Sequence, residues 1–456
     1  MKKYQSPGRL VLLVLWITLF VVSCSEDEVK PSAEALAINN FVWDAMSQAY
    51  LWEKQLPQNI AIDQEFDPNA YFDKLLYKPL DRWSFITEDY EGLINSLKGV
   101  ELSFGHNFQL FQISGNQIIG IVQYTVPDSP ADRAGIGRGD IFYQVNGATL
   151  NTSNYAELLF NNTSYTVTFG TFDQSGELTP TQSVALTAEV VAENPLHTHR
   201  TIDFEGYKIG YLSYNQFIPD YDDSLVSVVK QFSDDGVTEL VLDLRYNPGG
   251  AISSAILLSS MIAPRAVADN NEVYSRLFWN DGLTEYLIAE QGEESPNLLS
   301  RFITPEVSLD LSRVFILITA NTASASEQVI NCLAPYMDVV LVGQDNTSGK
   351  YVGSITIRAE DTDWDNWAIQ PIVTKSANAD GVSDYFDGFA PDYEVDDDYN
   401  AALGSLDEDM LARAVELITG VGIIDPGRIS NAYFPSAGKI VMPQYERDRQ
   451  RLYVDF

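Results

Sequence analysis

The sequence is short of positive charge. Its 456 residues carry 28 Lys and Arg against 64 Asp and Glu, a formal net charge of −36. That balance excludes nucleic acid as a partner, because phosphate backbones are bound with Lys and Arg. It also disfavours electrostatic docking on anionic lipid. Cysteine is scarce as well. Cys24 and Cys332 offer neither a disulfide framework nor a zinc site, and Cys332 in "INCLAPY" reads as a small buried hydrophobe. Only three histidines are present, His106, His197 and His199. The pair in "PLHTHR" reads as a linker and lacks further ligands for a metal, so no metal or cofactor is expected. Beyond the first 23 residues no run is long and apolar enough to span a bilayer. What is present suffices for large cores. The chain is 45% hydrophobic and 12% aromatic, and its length fits two or three domains. Nothing in it points to an oligomeric state.

Residues 1–23 read as a targeting segment. Lys2, Lys3 and Arg9 precede the apolar run "LVLLVLWITLFVV". The run ends in "VVSC", which resembles a bacterial lipobox and implies cleavage before Cys24 and lipid on that cysteine. The alternatives are a plain signal peptide or a single membrane span. "SEDE" at 25–28 resembles the surface-export signal of Bacteroidetes lipoproteins, and reads equally well as a solvated tether. The expected location is the cell envelope, as an outer-membrane-anchored lipoprotein facing the periplasm or the outside.

The rest divides into a tether (24–30), a small helical N-terminal region (31–98), a β-rich region (100–190), an α/β domain (195–420) and a C-terminal tail (421–456). In the β-rich region, Pro130 opens a short helix, Gly135 closes it, and Asn146-Gly147 marks a hairpin. "SPADRAGIGRGDIFYQVNG" resembles the core of a PDZ domain. The resemblance implies a groove that adds a peptide strand to a sheet edge and caps its C-terminal carboxylate. The carboxylate loop would fall at Phe104, Gly105 and His106. After residue 190 strands alternate with helices. "TELVLDLRYN" and "SRVFILITA" are nearly continuous apolar runs, hence buried strands. "SLDEDMLARAVELITG" reads as an amphipathic helix with a capping-box-like start and Gly420 at its end. "DYEVDDDYN" reads as a solvated acidic loop and lacks the Gly and terminal Glu of a calcium loop.

Chemistry concentrates in "TANTASASEQ". Thr322, Ser324 and Ser326 lie between an apolar strand and a helix. Ser324 falls at the strand-to-helix turn, where a hydroxyl projects and the helix N-terminus favours negative charge. The other reading of this stretch is a helix cap, by Ser324 or Ser326, with Glu327 in the first turn.

Two further stretches bear on that choice. "LVLDLRYNPGG" ends a buried strand in Gly249-Gly250, whose backbone allows close approach to a ligand. "GQDNTSGKYVGS" places Lys350 after another buried strand. In this order, and behind a PDZ-like region, the three stretches resemble the C-terminal processing (tail-specific) serine peptidases. The resemblance covers about 100–420. It implies an α/β sandwich of the crotonase and caseinolytic-protease type, with Ser324 as nucleophile and Lys350 as general base. The N–H of Ala325 and of Gly249 or Gly250 would form the oxyanion hole, and protein or peptide substrates are implied. A lysine base must be neutral, so Lys350 must be buried if it works. Asp243 and Arg245 are expected to pair structurally beneath the site.

The chain departs from the family at one supporting position. Where many members carry a Gln, four residues past the lysine, it has Ser354. Two alternatives follow: a catalytically inactive, peptide-binding lipoprotein that keeps the fold, and an enzyme that uses a histidine base.

Overall fold

The computed structural model describes residues 30–113, 115–173, 176–360 and 362–423, with the backbone of two short strands, Lys439–Ile440 and Leu452–Tyr453. Cys24 and the leader lie outside these residues. No helix among the described residues is long and apolar enough to cross a membrane.

The α/β region is built on a six-stranded sheet. Leu196–Phe204 runs antiparallel to Tyr207–Tyr214. Glu239–Asp243, Arg313–Ile318, Asp338–Gly343 and Tyr393–Glu394 then follow in parallel. Alternate side chains enter two different cores. Leu240, Leu242, Ile316 and Ile318 face the helices Asp222–Asp235, Ile252–Ile262 and Ala325–Leu333. Val241, Phe315 and Leu317 face the helix Asp409–Thr419 through Leu411 and Val415. A strand covered on both faces has no polar side, so these strands read as unbroken apolar runs. "PLHTHR" is thus part of the edge strand of this sheet, not a linker. Its pairing with the next strand was hidden because an edge strand buries few side chains.

The N-terminal helices Ala33–Ala49 and Pro68–Leu75 do not form a core of their own. Ile38, Val42, Met46, Tyr71 and Phe72 pack with Val352, Trp367, Ile369 and Ile372. The short strand Phe85–Thr87 pairs with Ala368–Gln370.

The β-rich region holds His106–Gln112, Ile118–Thr125, Ile141–Val145, Ser164–Phe172 and Leu178–Thr187 in one antiparallel sheet. Ile118, Val122, Phe142, Val145 and Val167 fill its core. The Asn146-Gly147 turn has φ of 52° and 76°, as a tight hairpin requires.

This module is joined to the α/β region through charge. The loop 392–400 is not wholly solvated: Asp397 and Asp398 are buried. Asp397 Oδ1 accepts from Arg138 Nη2 at 2.5 Å and from Arg245 Nη1 at 3.0 Å. Arg245 also donates to Glu408 at 2.7 and 2.9 Å and to Asp243 at 2.9 Å. An isolated buried guanidinium is costly, and three carboxylates compensate for it here. The same contact explains the start of the last described helix, where Glu408 rather than Ser405 is the cap and accepts from Leu411 N–H at 2.9 Å.

Candidate active site

The stretch after the strand Arg313–Ile318 is held on several sides, and its three hydroxyls have different fates. Thr322 Oγ1 donates to Leu244 O at 2.9 Å, and Ser326 Oγ donates to Asn247 O at 3.1 Å. Both tie the turn to the loop after Asp243. Ser324 Oγ is buried and has no hydrogen-bond partner. Ser324 also stands at φ 65°, ψ −113°, a region that non-glycine residues avoid at a cost of about 1–3 kcal/mol. Such a conformation persists only where neighbours over-determine it. Here Ser324 N–H donates to Glu327 Oε2 at 2.8 Å, and Ala323 N–H donates to Asn247 O at 3.1 Å. The residues are arranged as a capping box, yet the bond that closes with good geometry is the one to the carboxylate. The hydroxyl is left for other work.

Glu327 links this turn to the lysine loop. Its Oε1 accepts from Thr347 Oγ1 and Gly349 N–H, both at 2.6 Å, and its Oε2 accepts from Lys350 N–H at 2.8 Å. With Ser324 N–H that makes four donors on one fully buried carboxylate. Burial pushes its pKa up to about 6, against the pull of those hydrogen bonds. Sequence reading had placed Glu327 only in the first turn of a helix. Its acceptor role depends on a loop 20 to 23 residues away in the chain. The one available signal was a Glu three residues after the candidate serine.

Lys350 is buried, as a lysine base requires. Gly349 precedes it at φ 80°, where an added Cβ would lie 2.0 Å from Phe386 O, so no side chain fits there. Ser324 Oγ and Lys350 Nζ are not hydrogen-bonded in this state, since Oγ has no partner at all. Ser354, also buried, ends the strand Val352–Ser354 that follows the lysine.

The glycine pair resolves into two unlike positions. Gly249 N–H donates to Asn247 Oδ1 at 2.8 Å and is already engaged. Gly249 O accepts from Phe217 N–H, and Ala251 N–H donates to Phe217 O, each at 2.9 Å. Backbone groups alternate along a strand, so Gly250 turns its N–H and C=O to the opposite edge. Gly250 has φ 139°, and an added Cβ would lie 2.1 Å from Phe217 O. Ala325 is the first residue of the helix Ala325–Leu333, and its N–H has no acceptor within the helix. Asn247, the other residue that sequence reading passed over, braces both loops. Its Nδ2 donates to Tyr214 O at 2.8 Å.

The remaining candidates lie elsewhere. His106 is in the β-rich core, between Phe104, Phe108 and Phe142, with Nε2 3.4 Å from Tyr165 OH. Burial lowers its pKa to about 4. Gly105 N–H donates to Ser103 Oγ at 3.0 Å, and Phe104 stacks at a tilt on Tyr165 with ring centroids 4.1 Å apart. His197 packs on Tyr124, and burial lowers its pKa to about 4 as well. His199 faces Phe232. Asp243 and Arg245 pair beneath the glycine loop. A cavity of about 140 Å³ between the β-rich module and the α/β region is lined by Gln123, Tyr124, Tyr246, Pro248 and Asn321, next to both loops.

Comparison with known proteins bears on the family and fold that hold this arrangement. The model of peptidase family S41 matches residues 208–395, and that of the peptidase S41 N-terminal domain matches residues 37–85. The chain belongs to peptidase family S41. It is 25% identical over 327 residues to a carboxyl-terminal-processing protease of Picosynechococcus sp., covering 68% of this chain and 71% of that one. It is 26% identical over 236 residues to the chloroplastic carboxyl-terminal-processing peptidase 1 of Arabidopsis thaliana, covering 51% of this chain and 43% of the relative. Among solved structures, an S41 protease from Bacteroides fragilis matches with a TM-score of 0.69 and 29% identity, over 84% of this chain and 98% of that one. The photosystem II D1 C-terminal processing protease matches with a TM-score of 0.51 and 17% identity, over 86% and 99%, a likeness of fold. The S41 N-terminal match accounts for the helices that share a core with the peptidase region.

Proposed function

We propose that this S41 family member is a serine endopeptidase that cleaves exported proteins or peptides with a Ser324–Lys350 dyad. The observation that carries the reading is the singular state of Ser324. It is the one hydroxyl of its turn with no partner, and it is held in a strained conformation that Glu327 ties to the lysine loop.

In the proposed reaction neutral Lys350 accepts the Ser324 Oγ proton as Oγ bonds to the substrate carbonyl carbon. Charge that develops on the carbonyl oxygen is met by the N–H groups of Ala325 and Gly250. The C–N bond then breaks, and Lys350 returns the proton to the leaving amine. Water hydrolyses the ester, with the same amine taking a proton and Ser324 regaining one. Ser354 supports the lysine. The β-rich module acts as a PDZ domain that binds substrate C-termini near Phe104, Gly105 and His106, and Cys24 carries the lipid anchor.

The test is labelling by a fluorophosphonate probe and hydrolysis of casein. Wild type is expected to do both. Lys350→Ala and Lys350→Arg are each expected to lose at least a hundredfold, because a guanidinium stays charged. The rate is expected to rise with pH as the amine loses its proton. Replacing His106, His197 and His199 together while keeping activity excludes a histidine base. An unlabelled, inactive but folded wild type that still binds peptides would instead support the non-catalytic reading.

A further inference from the structure

The catalytic loops are flanked by a second sheet whose order is Gly250–Ala251, Leu452–Tyr453, Val352–Ser354, Ile372–Ala377, Val273–Phe278, Leu299–Arg301. Its second strand comes from the far end of the sequence. Gly250 pairs with Leu452 and Ala251 with Tyr453, in parallel. Tyr453 also pairs in parallel with Ser354 on the other side. The position is chemically specific. Gly250 turns its N–H toward this edge, because its neighbours are engaged with Phe217. Val352–Ser354 begins two residues beyond Lys350. The gap between these strands is therefore a slot one strand wide, with the candidate oxyanion donor on one side and the lysine-bearing segment on the other. An extended peptide would gain backbone hydrogen bonds from both walls, as in strand addition at a sheet edge.

A second strand contact of the same type lies earlier in the chain. Lys439–Ile440 pairs antiparallel with the outer edge of His106–Gln112, Lys439 opposite Gln112 and Ile440 opposite Phe111. That strand leaves the loop at 103–106 and otherwise ends the sheet of the β-rich module. Lys439–Ile440 thus covers the open edge of the β-rich module, and Leu452–Tyr453 fills the slot at the catalytic loops.

We propose that two short C-terminal strands act as an intramolecular pseudosubstrate: Leu452–Tyr453 occupies the substrate-strand slot in cis, Lys439–Ile440 occupies the peptide edge of the β-rich module, and substrate must displace both. The inference rests on the peptidase reading above for what the slot is for.

The test uses the full chain. In Leu452→Pro/Tyr453→Pro the two residues lose their N–H groups and resist a two-sided strand position. Fluorophosphonate labelling of Ser324 and casein hydrolysis are each expected to rise at least fivefold. A synthetic peptide of residues 445–456 added in trans is expected to return both to the wild-type rate, and the same peptide with both prolines is expected to have no effect. Leu452→Gly/Tyr453→Gly weakens the strand through backbone entropy and is expected to move the readouts the same way by a smaller factor. Rates equal to wild type in both variants, with no inhibition by the peptide, would overturn the proposal. So would excision of the segment by wild type but not by Ser324→Ala, since that makes it a consumed substrate rather than a standing block.

Failure of the peptidase reading is told apart by hydrogen exchange in a Ser324→Ala background. Faster exchange over 249–253 and 352–355 in the proline variant supports an occupied slot even if no chain hydrolyses casein. Unchanged exchange, alongside equal hydrolysis by wild type and by the proline variant that keeps Ser324, overturns the slot and leaves the peptidase standing.

Discussion

Glu327 Oε2 accepts the backbone N–H of Lys350 at 2.8 Å, and the same oxygen accepts the N–H of Ser324 at 2.8 Å. The proposed nucleophile and base are thereby registered to one buried atom. The carboxylate shares the task of joining the two loops with one backbone bond, from Ser348 N–H to Thr322 O at 2.9 Å.

Glu327→Ala is expected to leave four buried donors without an acceptor. At about 1–3 kcal/mol for each donor that finds no other partner, the loss of stability should reach roughly 3–5 kcal/mol. Activity should fall at least a hundredfold. Glu327→Gln keeps the shape but turns an NH₂ group toward some of the donors, so it should lose activity with a smaller drop in melting temperature. Thermal unfolding and casein hydrolysis on the same samples separate the two effects.

The pH dependence of this group has opposite signs for stability and activity. Its folded pKa is about 6 against an ordinary value of 4.5. A pKa raised by folding favours the protonated fold, so the stabilising contribution is complete below about 4.5 and is lost as pH rises through about 6. The difference amounts to about 2 kcal/mol. Activity needs the ionised form, because a protonated oxygen is a poorer acceptor for the N–H groups that hold Ser324 and Lys350. The rate should therefore fall as pH drops through about 6. A pH–rate profile of Glu327→Gln should lack that acid limb, whatever its maximum.

Ser324→Ala should abolish hydrolysis and leave the melting temperature unchanged or higher, since it removes a buried hydroxyl that has no partner. Ser324→Gly should be more stable still, by about 1 kcal/mol, because glycine adopts φ 65° without strain. Denaturant midpoints rank the three chains. A glycine variant less stable than wild type would mean that the conformation is not strained.

Arg245→Ala should destabilise by about 3–5 kcal/mol, because Asp243, Asp397 and Glu408 would be left as buried carboxylates. The neighbouring arginines, working against burial, hold the carboxyls of Asp397 and Glu408 below their usual range. Depressed values contribute stability above the ordinary carboxylate range, and that stability is lost as pH falls through the folded values. Wild type should therefore unfold steeply in acid, and Arg245→Ala should show a flatter dependence. Urea titrations across pH 3–7 check both.

Much of the local structure of the candidate site was legible in the chain because it depends on local order. A buried strand ending in Pro-Gly-Gly, a hydroxyl-rich strand-to-helix turn and a lysine after a further strand each bear a pattern that short-range chemistry imposes. The apolar runs of 239–243 and 313–318 likewise announced strands covered on two faces, and Asn146-Gly147 announced its hairpin.

Choices among equivalent residues were decided only in three dimensions. Thr322, Ser324 and Ser326 are alike as a sequence. Two of them find carbonyl acceptors on the loop after Asp243, and the third does not. Gly249 and Gly250 are adjacent and identical, yet Asn247 engages one N–H while Phe217 forces the other outward. Asp397 sits in a run of acids that reads as solvated, and two arginines far apart in the chain draw it inside. The N-terminal helices read as a separate region because amphipathic spacing tells which face is apolar, not what covers it. Hydrogen-bond partners and shared cores are set by which distant segments come together, and the spacing of residues along one chain does not carry that information. The strand at 452–453 is the clearest case. Its place beside Gly250 and Ser354 is made by backbone pairing, which any residue except proline can make.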